Sequence, residues 1–116
     1  MHVSFADYLN STVEFYSRSF VGGGSRPVET WALESTVNGM SELTSGGETV
    51  KDNNIVVLYT HMLYVEHMAV NAEWRVRIDG ADVYNIVSIH NPVNKDRHLE
   101  IKLLLLPPGT AAEMGI

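Results

Sequence analysis

The sequence WRVRIDGADVYNIVSIHNPVNKDRHLEIKLLLL, from Trp74 to Leu106, decides the fold of this chain. Its opening residues alternate large apolar side chains with arginines, the period-two pattern of a strand with one buried and one solvent-facing side. The Asp79-Gly80 pair follows directly, and an Asp-Gly pair between apolar runs is a strong short-range turn signal. A first strand and a tight turn are therefore predicted here.

Two more runs of β-forming residues complete this stretch, Val83 to Ile89 and Leu99 to Leu106. Asn91-Pro92 ends the first of them, because proline cannot donate a ladder hydrogen bond. The charged segment from Asn94 to His98 then reads as a loop tip. The stretch is predicted to be an antiparallel meander of three strands, about the minimum for a sheet that is stable by itself.

The residues before the meander predict fewer regular elements. Strands are expected at Ser11–Phe20, at Val28–Met40 and, as a long run that bends or is split, at Ile55–Met68. Three consecutive glycines make Val21–Pro27 a flexible connection. The polar, glycine-containing segment Ser41–Asn54 is expected to be a long exposed loop, and the glycine segment and this loop are where functional contacts are expected.

These elements predict a mainly β protein of about six strands, with long loops and at most short helices. The architecture is a small β-barrel or sandwich, a single domain that spans residues 1–116. Residues 1–10 are expected to form an N-terminal arm. Residues 110–116 are expected to be a frayed tail.

The composition restricts the classes of function. The chain has 116 residues and a net charge of −6, with acidic residues dominating its first half. Proteins that grip nucleic acid need clustered lysine and arginine, so this balance argues against phosphate binding. It is compatible with a wall that DNA merely passes. There is no cysteine, so disulfides and thiolate metal sites are excluded.

No catalytic, cofactor-binding or metal-binding residues are predicted. The five histidines are too loosely spaced to supply three or four converging ligands. No serine lies in a nucleophile-elbow context, and Asp79 and Asp82 read as turn carboxylates rather than as an acid–base pair. The sequence shows neither a membrane-spanning run nor a secretory signal, so a soluble protein made inside a cell is expected.

Three residues have an open interpretation. Trp31 is either a core side chain or an interface anchor, since tryptophan is enriched at binding hot spots. Arg75 and Arg77 lie on one side of a predicted strand. They either face solvent or meet a phosphate backbone or an acidic surface of a neighbouring subunit.

The order of several segments resembles the head–tail joining family of long-tailed phages, the small head-closure or stopper proteins. The segments that carry the resemblance are VETW at Val28–Trp31 after the glycines, TVNGMSELTSGGE at Thr36–Glu48, YTHMLYVEH at Tyr59–His67 and RVRIDGADVYNIVSI at Arg75–Ile89. A charged hairpin and a leucine-rich last strand follow, so the resemblance covers Gly22 to Leu106. The sequence departs from the family at Glu66-His67, where an arginine is common, and at Lys51–Leu58, which is often helical there.

The resemblance implies a non-enzymatic structural protein of the virion, made in the host cytoplasm during assembly. Such a protein forms a ring of about twelve copies under the portal or adaptor. It retains the packaged DNA, which passes without sequence-specific binding, and it presents the surface to which tail proteins dock; no membrane is involved. The candidate assembly residues on this interpretation are Trp31, Glu42, Ser45, Gly46, Gly47, Glu48, Lys51, Asp52, Arg75 and Arg77.

Two alternatives stay open at the level of sequence. A tail-completion or tail-terminator protein would be built on a similar barrel. A small-ligand-binding β-barrel module is a third interpretation, from a different class of function.

Overall fold

A computed structural model describes residues 9–22, 26–50, 56–92 and 97–116. They form six strands and one short helix: β1 (Ser11–Val21), β2 (Val28–Val50), β3 (Val56–Glu66), β4 (Arg75–Ile78), β5 (Val83–His90), β6 (His98–Leu105) and α1 (Thr110–Met114). The strands close into a barrel in the order β1-β2-β3-β6-β5-β4, with every pair antiparallel. The prediction of a mainly β protein is confirmed, and of the two predicted architectures the barrel is the observed one.

The predicted meander is present as β4, β5 and β6. The Ala81 amide donates to the Ile78 carbonyl at 3.0 Å and closes the turn. Asp79 has a φ of 52° and Gly80 a φ of 66°. Two successive positive φ angles define the primed turn that matches the right-handed twist of a hairpin, so the Asp-Gly signal acts as the sequence predicts.

Alternate side chains of the strands fill the barrel. On β3, for example, Leu63 and Val65 point inward and are fully buried, whereas Tyr64 between them lies on the outside. The core consists of Val13, Phe15, Leu63, Val65, Val76, Ile78, Tyr84, Ile86, Leu99, Ile101 and Leu103. The alternation that predicted the strands is therefore the alternation between the inside and the outside of the barrel.

Strand β2 is the longest element, with 23 residues. Residues Val28–Gly39 pair with β1 and residues Gly39–Val50 pair with β3. The prediction that Ser41–Asn54 is a loop is wrong as far as Val50, and residues 51–54 lie outside the described part of the chain. This half of β2 continues beyond the point where β3 leaves β6, and backbone hydrogen bonds to β3 hold it extended.

The third strand is not split, and the irregularity in its pairing with β2 lies on the β2 side. β3 is continuous over 11 residues, and the register of its pairing with β2 shifts between Leu43 and Gly47 on the β2 side. A second shift lies between Phe15 and Tyr16 in the pairing of β1 with β2. Such bulges bend a long strand and increase its twist.

Residues 110–116 are not a frayed tail. They begin with α1, and Thr110 and Met114 are buried. The Thr110 hydroxyl donates to the Pro107 carbonyl at 2.6 Å and fixes the start of the helix. The segment is ordered because Met114 packs on the outside of the barrel against Tyr16 and Val83. Of the predicted N-terminal arm, residues 1–8 lie outside the described residues, and Leu9 is buried.

Gly39 allows the close approach of β1, β2 and β3. A Cβ atom at this position would lie 2.8 Å from Val13 Cγ2, 3.1 Å from the Tyr64 carbonyl oxygen and 3.1 Å from Val65 Cγ1. We expect Gly39→Ala to lower the free energy of unfolding by about 1–3 kcal/mol through overpacking, measured by urea denaturation. Asn38→Ala, on the exposed neighbour, is the control.

A double variant tests the steric cause. Adding Val13→Ala to the Gly39→Ala variant should lower the free energy of unfolding by less than Val13→Ala does in the wild-type protein. If the two substitutions were strictly additive, steric conflict at Gly39 would not be the cause.

Gly80 tests the turn between β4 and β5. Its φ is positive and a Cβ atom there would meet nothing within 4 Å, so any cost of a side chain is conformational. We expect Gly80→Val to destabilise the protein by about 1 kcal/mol or more, and Gly80→Asn to cost less, because asparagine tolerates the left-handed region. Thermal unfolding of both variants checks this. Equal costs for Val and Asn would contradict it.

Candidate assembly surfaces

Two hairpins extend beyond the barrel. The first, here called the tip hairpin, pairs Ser17–Val21 with Val28–Ala32, beyond the point where β1 leaves β4 at Tyr16. The second, here called the outer hairpin, is formed by the end of β2 and the start of β3. Because the two hairpins use opposite ends of β2, they extend in opposite directions, and the molecule measures 59 × 33 × 27 Å.

The tip hairpin exposes apolar side chains. Phe20 is 60%, Val21 60% and Val28 61% exposed, and Val21 pairs directly with Val28 across the hairpin. The exposed Arg26 lies next to this pair along the chain. Exposed apolar surface is a common feature of interaction sites, so the tip hairpin is a candidate assembly surface.

An aromatic and ionic network fixes the base of the tip hairpin. The Arg75 guanidinium lies 4.5 Å from the centre of the Trp31 ring, and Arg75 Nε donates to Asn85 Oδ1 at 3.1 Å. Trp31 Nε1 donates to Glu29 Oε1 at 3.0 Å, and Arg18 lies 3.6 Å from the same carboxylate. The structure therefore brings together two of the predicted assembly residues, Trp31 and Arg75, in a contact within one chain.

Arg77 has a different environment. Its Nη2 donates to the Gly80 carbonyl at 2.9 Å, and it lies opposite Glu14 in the β1–β4 register. The Tyr16 hydroxyl donates to Glu14 Oε2 at 3.0 Å. Burial, reinforced by Glu14, raises the pKa of Tyr16 despite the opposing effect of Arg77. Arg77 thus supports the turn and the outer wall, and a role for it between subunits stays a prediction.

The C-terminal helix covers this side of the barrel. Tyr16, Val83 and Met114 form a small buried cluster outside the sheet, and Trp31, Leu106, Ala111 and Ile116 pack against it. Trp31 is therefore partly buried here by contacts within the chain, and its role as an interface anchor stays a prediction. The side of the barrel that carries both predicted arginines is largely occupied by the chain itself.

The remaining predicted residues lie in the second half of β2 or follow it in the sequence. Glu42 is exposed and lies opposite Met62. Ser45, Gly46, Gly47 and Glu48 are on β2, where Gly47 pairs with Tyr59 and Glu48 with Leu58; Lys51 and Asp52 lie outside the described residues. Leu43 is 78% and Leu58 57% exposed, so the outer hairpin also presents apolar surface.

Thr60 marks the fork at which the outer hairpin leaves the barrel. The pairing of β3 with β6 ends at His61 and Leu103. Beyond it, the Thr60 hydroxyl accepts a hydrogen bond from the Leu105 amide at 2.8 Å. His61 Nδ1 lies 2.9 Å from the same hydroxyl, and the His61 ring meets the Tyr84 ring edge-on at 4.9 Å. Burial lowers the pKa of His61, against the opposing influence of Asp82.

Sequence reasoning missed a surface on the outside of β2, β3 and β6. Met40 lies beside Tyr64, which lies beside Glu100, and in the next row Glu42 lies beside Met62. Met40, Met62 and Tyr64 are partly buried. We call this surface, Met40, Glu42, Met62, Tyr64 and Glu100, the methionine face. The parity of β3 hints at it, but only the registers with β2 and β6 show which residues meet.

The described residues contain no group of three or more histidine, aspartate or glutamate side chains placed to hold a metal ion. Among the same residues, no helix is long and apolar enough to cross a membrane.

Comparison with known proteins gives a similarity of fold. No family model and no curated protein matches the sequence. Among solved structures, a chain from the virion of a native gene transfer agent (GTA) particle superimposes with a TM-score of 0.56. The match covers 82% of this chain and 93% of that chain at 13% sequence identity. The two chains therefore share a fold over most of this chain and nearly all of the virion chain.

The lowered pKa of His61 predicts that the stability of the protein depends on pH. Above the ordinary histidine pKa of about 6.5, His61 is neutral in both the folded and the unfolded chain. Below it, the unfolded chain takes up a proton that the folded chain resists, so stability falls as the pH decreases toward the folded pKa. We expect His61→Gln to reduce this loss between about pH 7 and pH 5 in urea denaturation. His90→Gln, on an exposed position, is the control. An unchanged pH dependence in His61→Gln would contradict the prediction.

Proposed function

We propose that this chain is a structural virion protein of a tailed phage or a related particle, acting as a head–tail connector or head-closure component. The fold shared with a chain of a gene transfer agent virion, a phage-like particle, carries this proposal. The two chains match over 93% of the length of the virion chain. The order of segments from Gly22 to Leu106, which resembles the head–tail joining family, supports the same conclusion independently.

In this role the protein forms a ring of about twelve copies beneath the portal or adaptor. The ring retains packaged DNA and provides the surface to which tail proteins dock. A net charge of −6 suits this position, since an acidic wall repels phosphates and lets DNA pass without being held. The assembly takes place in the host cytoplasm, and the finished protein is located in the virion.

The distribution of apolar surface supports assembly. A core of fully buried side chains fills the barrel, among them Phe15, Leu63 and Ile101, whereas small-ligand barrels enclose a cavity. The apolar side chains left outside are concentrated on the two hairpins. Binding by this protein is thus expected at its projecting hairpins and outer faces, as in a structural subunit, and not inside the barrel. The proposed role is non-enzymatic.

The proposal is tested by deleting the gene from a virus that encodes it and examining the particles by electron microscopy. We expect tail-less heads that have lost their DNA, because the channel is no longer closed. Complementation with the wild-type gene in trans should restore filled, tailed particles and serves as the control.

The other outcomes discriminate between the alternatives. Filled heads with defective tails would indicate that the protein acts on the tail side, as a tail-completion or tail-terminator protein. Normal infectious particles without the protein would refute a structural role in the virion.

A further inference from the structure

In the described part of the chain, the methionine face lies on the side of the barrel that α1 leaves uncovered. Helix α1 packs on the opposite side, against Tyr16 and Val83. Among the described residues, no helix covers Met40, Met62 and Tyr64. Two thioethers and an aromatic ring, side by side across two strands, form an adaptable apolar surface of the kind that proteins use for binding.

Carboxylates border this surface. Glu42 is exposed beside Met62 and makes no ion pair with a described cation, whereas Glu100 lies 3.7 Å from His98 Nε2. Both carboxylates, after burial itself, raise the pKa of Tyr64. Lys102, in the row of Glu42 and Met62, lies with its ammonium group 4.9 Å from the centre of the Tyr59 ring. This face is therefore complementary to an apolar segment that places a cationic side chain next to Glu42.

The tip hairpin has the complementary composition. Val21 and Val28 form an exposed apolar pair, and Phe20 is exposed on the other side of the hairpin. Arg26 is exposed and makes no ion pair with a carboxylate in the described part of the chain. Arg18 already pairs with Glu29 and Arg75 with Trp31, so among these arginines Arg26 is the one available to a partner.

We infer that the tip hairpin of one copy docks on the methionine face of a second copy, with Arg26 against Glu42. The contact joins two different surfaces of the same chain, so it repeats from copy to copy and closes when the rotation is that of a ring. The contact also offsets the electrostatic repulsion between identical copies, each of which carries a net charge of −6. It does so because each junction places a cation next to a carboxylate. The inference rests on the proposed function and names the surfaces that form the ring.

Charge reversal tests the contact in the virus that lacks the gene. Arg26→Glu and Glu42→Arg each place like charges at every junction, which disfavours the contact. We expect each variant alone to lower the yield of infectious particles by more than about tenfold. Co-expression of the two should restore the yield, because alternating copies place opposite charges at both kinds of junction.

Matched controls carry the same charge changes elsewhere. Arg97→Glu and Glu73→Arg, both on exposed positions, should leave the yield at the wild-type level. Wild-type yields from Arg26→Glu and from Glu42→Arg would overturn the inference. So would a failure of co-expression to raise the yield above that of either variant.

A photo-reactive amino acid at Val28 provides a second measurement that does not depend on yield. In assembled particles it should crosslink to the region of another copy that contains Met40, Met62 or Tyr64. Crosslinks to other virion proteins alone would overturn the inference but leave the proposed function intact. Normal particles after deletion of the gene would instead refute the proposed function itself.

Discussion

The close approach of three strands at Gly39 is the constraint on which the rest of the structure depends. At this residue β2 is paired with Ser11 of β1 on one side and with Val65 of β3 on the other, and the position has no room for a side chain. Strand β2 can therefore pair with β1 along its first half and with β3 along its second half. The barrel closes around the middle of β2, and the two ends of the strand carry the tip hairpin and the outer hairpin away from it. Both the tip hairpin and the outer hairpin follow from this sharing of one strand.

The meander was predictable because each of its signals is local. The alternation in Arg75–Ile78 separates inside from outside within a few residues, and Asp79 and Gly80 adopt the backbone angles that their side chains tolerate. The outer half of β2 was not predictable by the same means. Its sequence lacks a hydrophobic alternation, and its strand conformation depends on a partner that lies beyond Val50 in the chain. The tail was missed for a similar reason: the burial of Met114 depends on Tyr16 and Val83, which are distant in sequence.

The candidate site was predicted in part. Trp31 and Arg75 were selected separately, and the fold places one on the other, so the feature that drew attention to them is explained by a contact within the chain. The methionine face could not be found from sequence, since Met40, Met62 and Glu100 come from three strands and meet only through the registers of β2 with β3 and of β3 with β6. The alternation of side chains along β3 identifies which of its residues share one side of the strand. It does not identify the residues of β2 and β6 that lie beside them.

The two outer sides of the barrel differ in the partners that their described residues have within the chain, and this difference favours one side for the proposed contact between copies. On the side of β1 and β4, Arg75 has an aromatic ring and an amide as partners, and α1 covers the apolar residues between the elements. A partner there would have to displace contacts that already exist. On the methionine face, Glu42 is exposed and has no ion pair with a described cation, so the proposed contact displaces no ion pair of Glu42 among the described residues. The arginine that matters between subunits is therefore expected on the tip hairpin, at Arg26, and not among the arginines that the regular sequence pattern makes conspicuous.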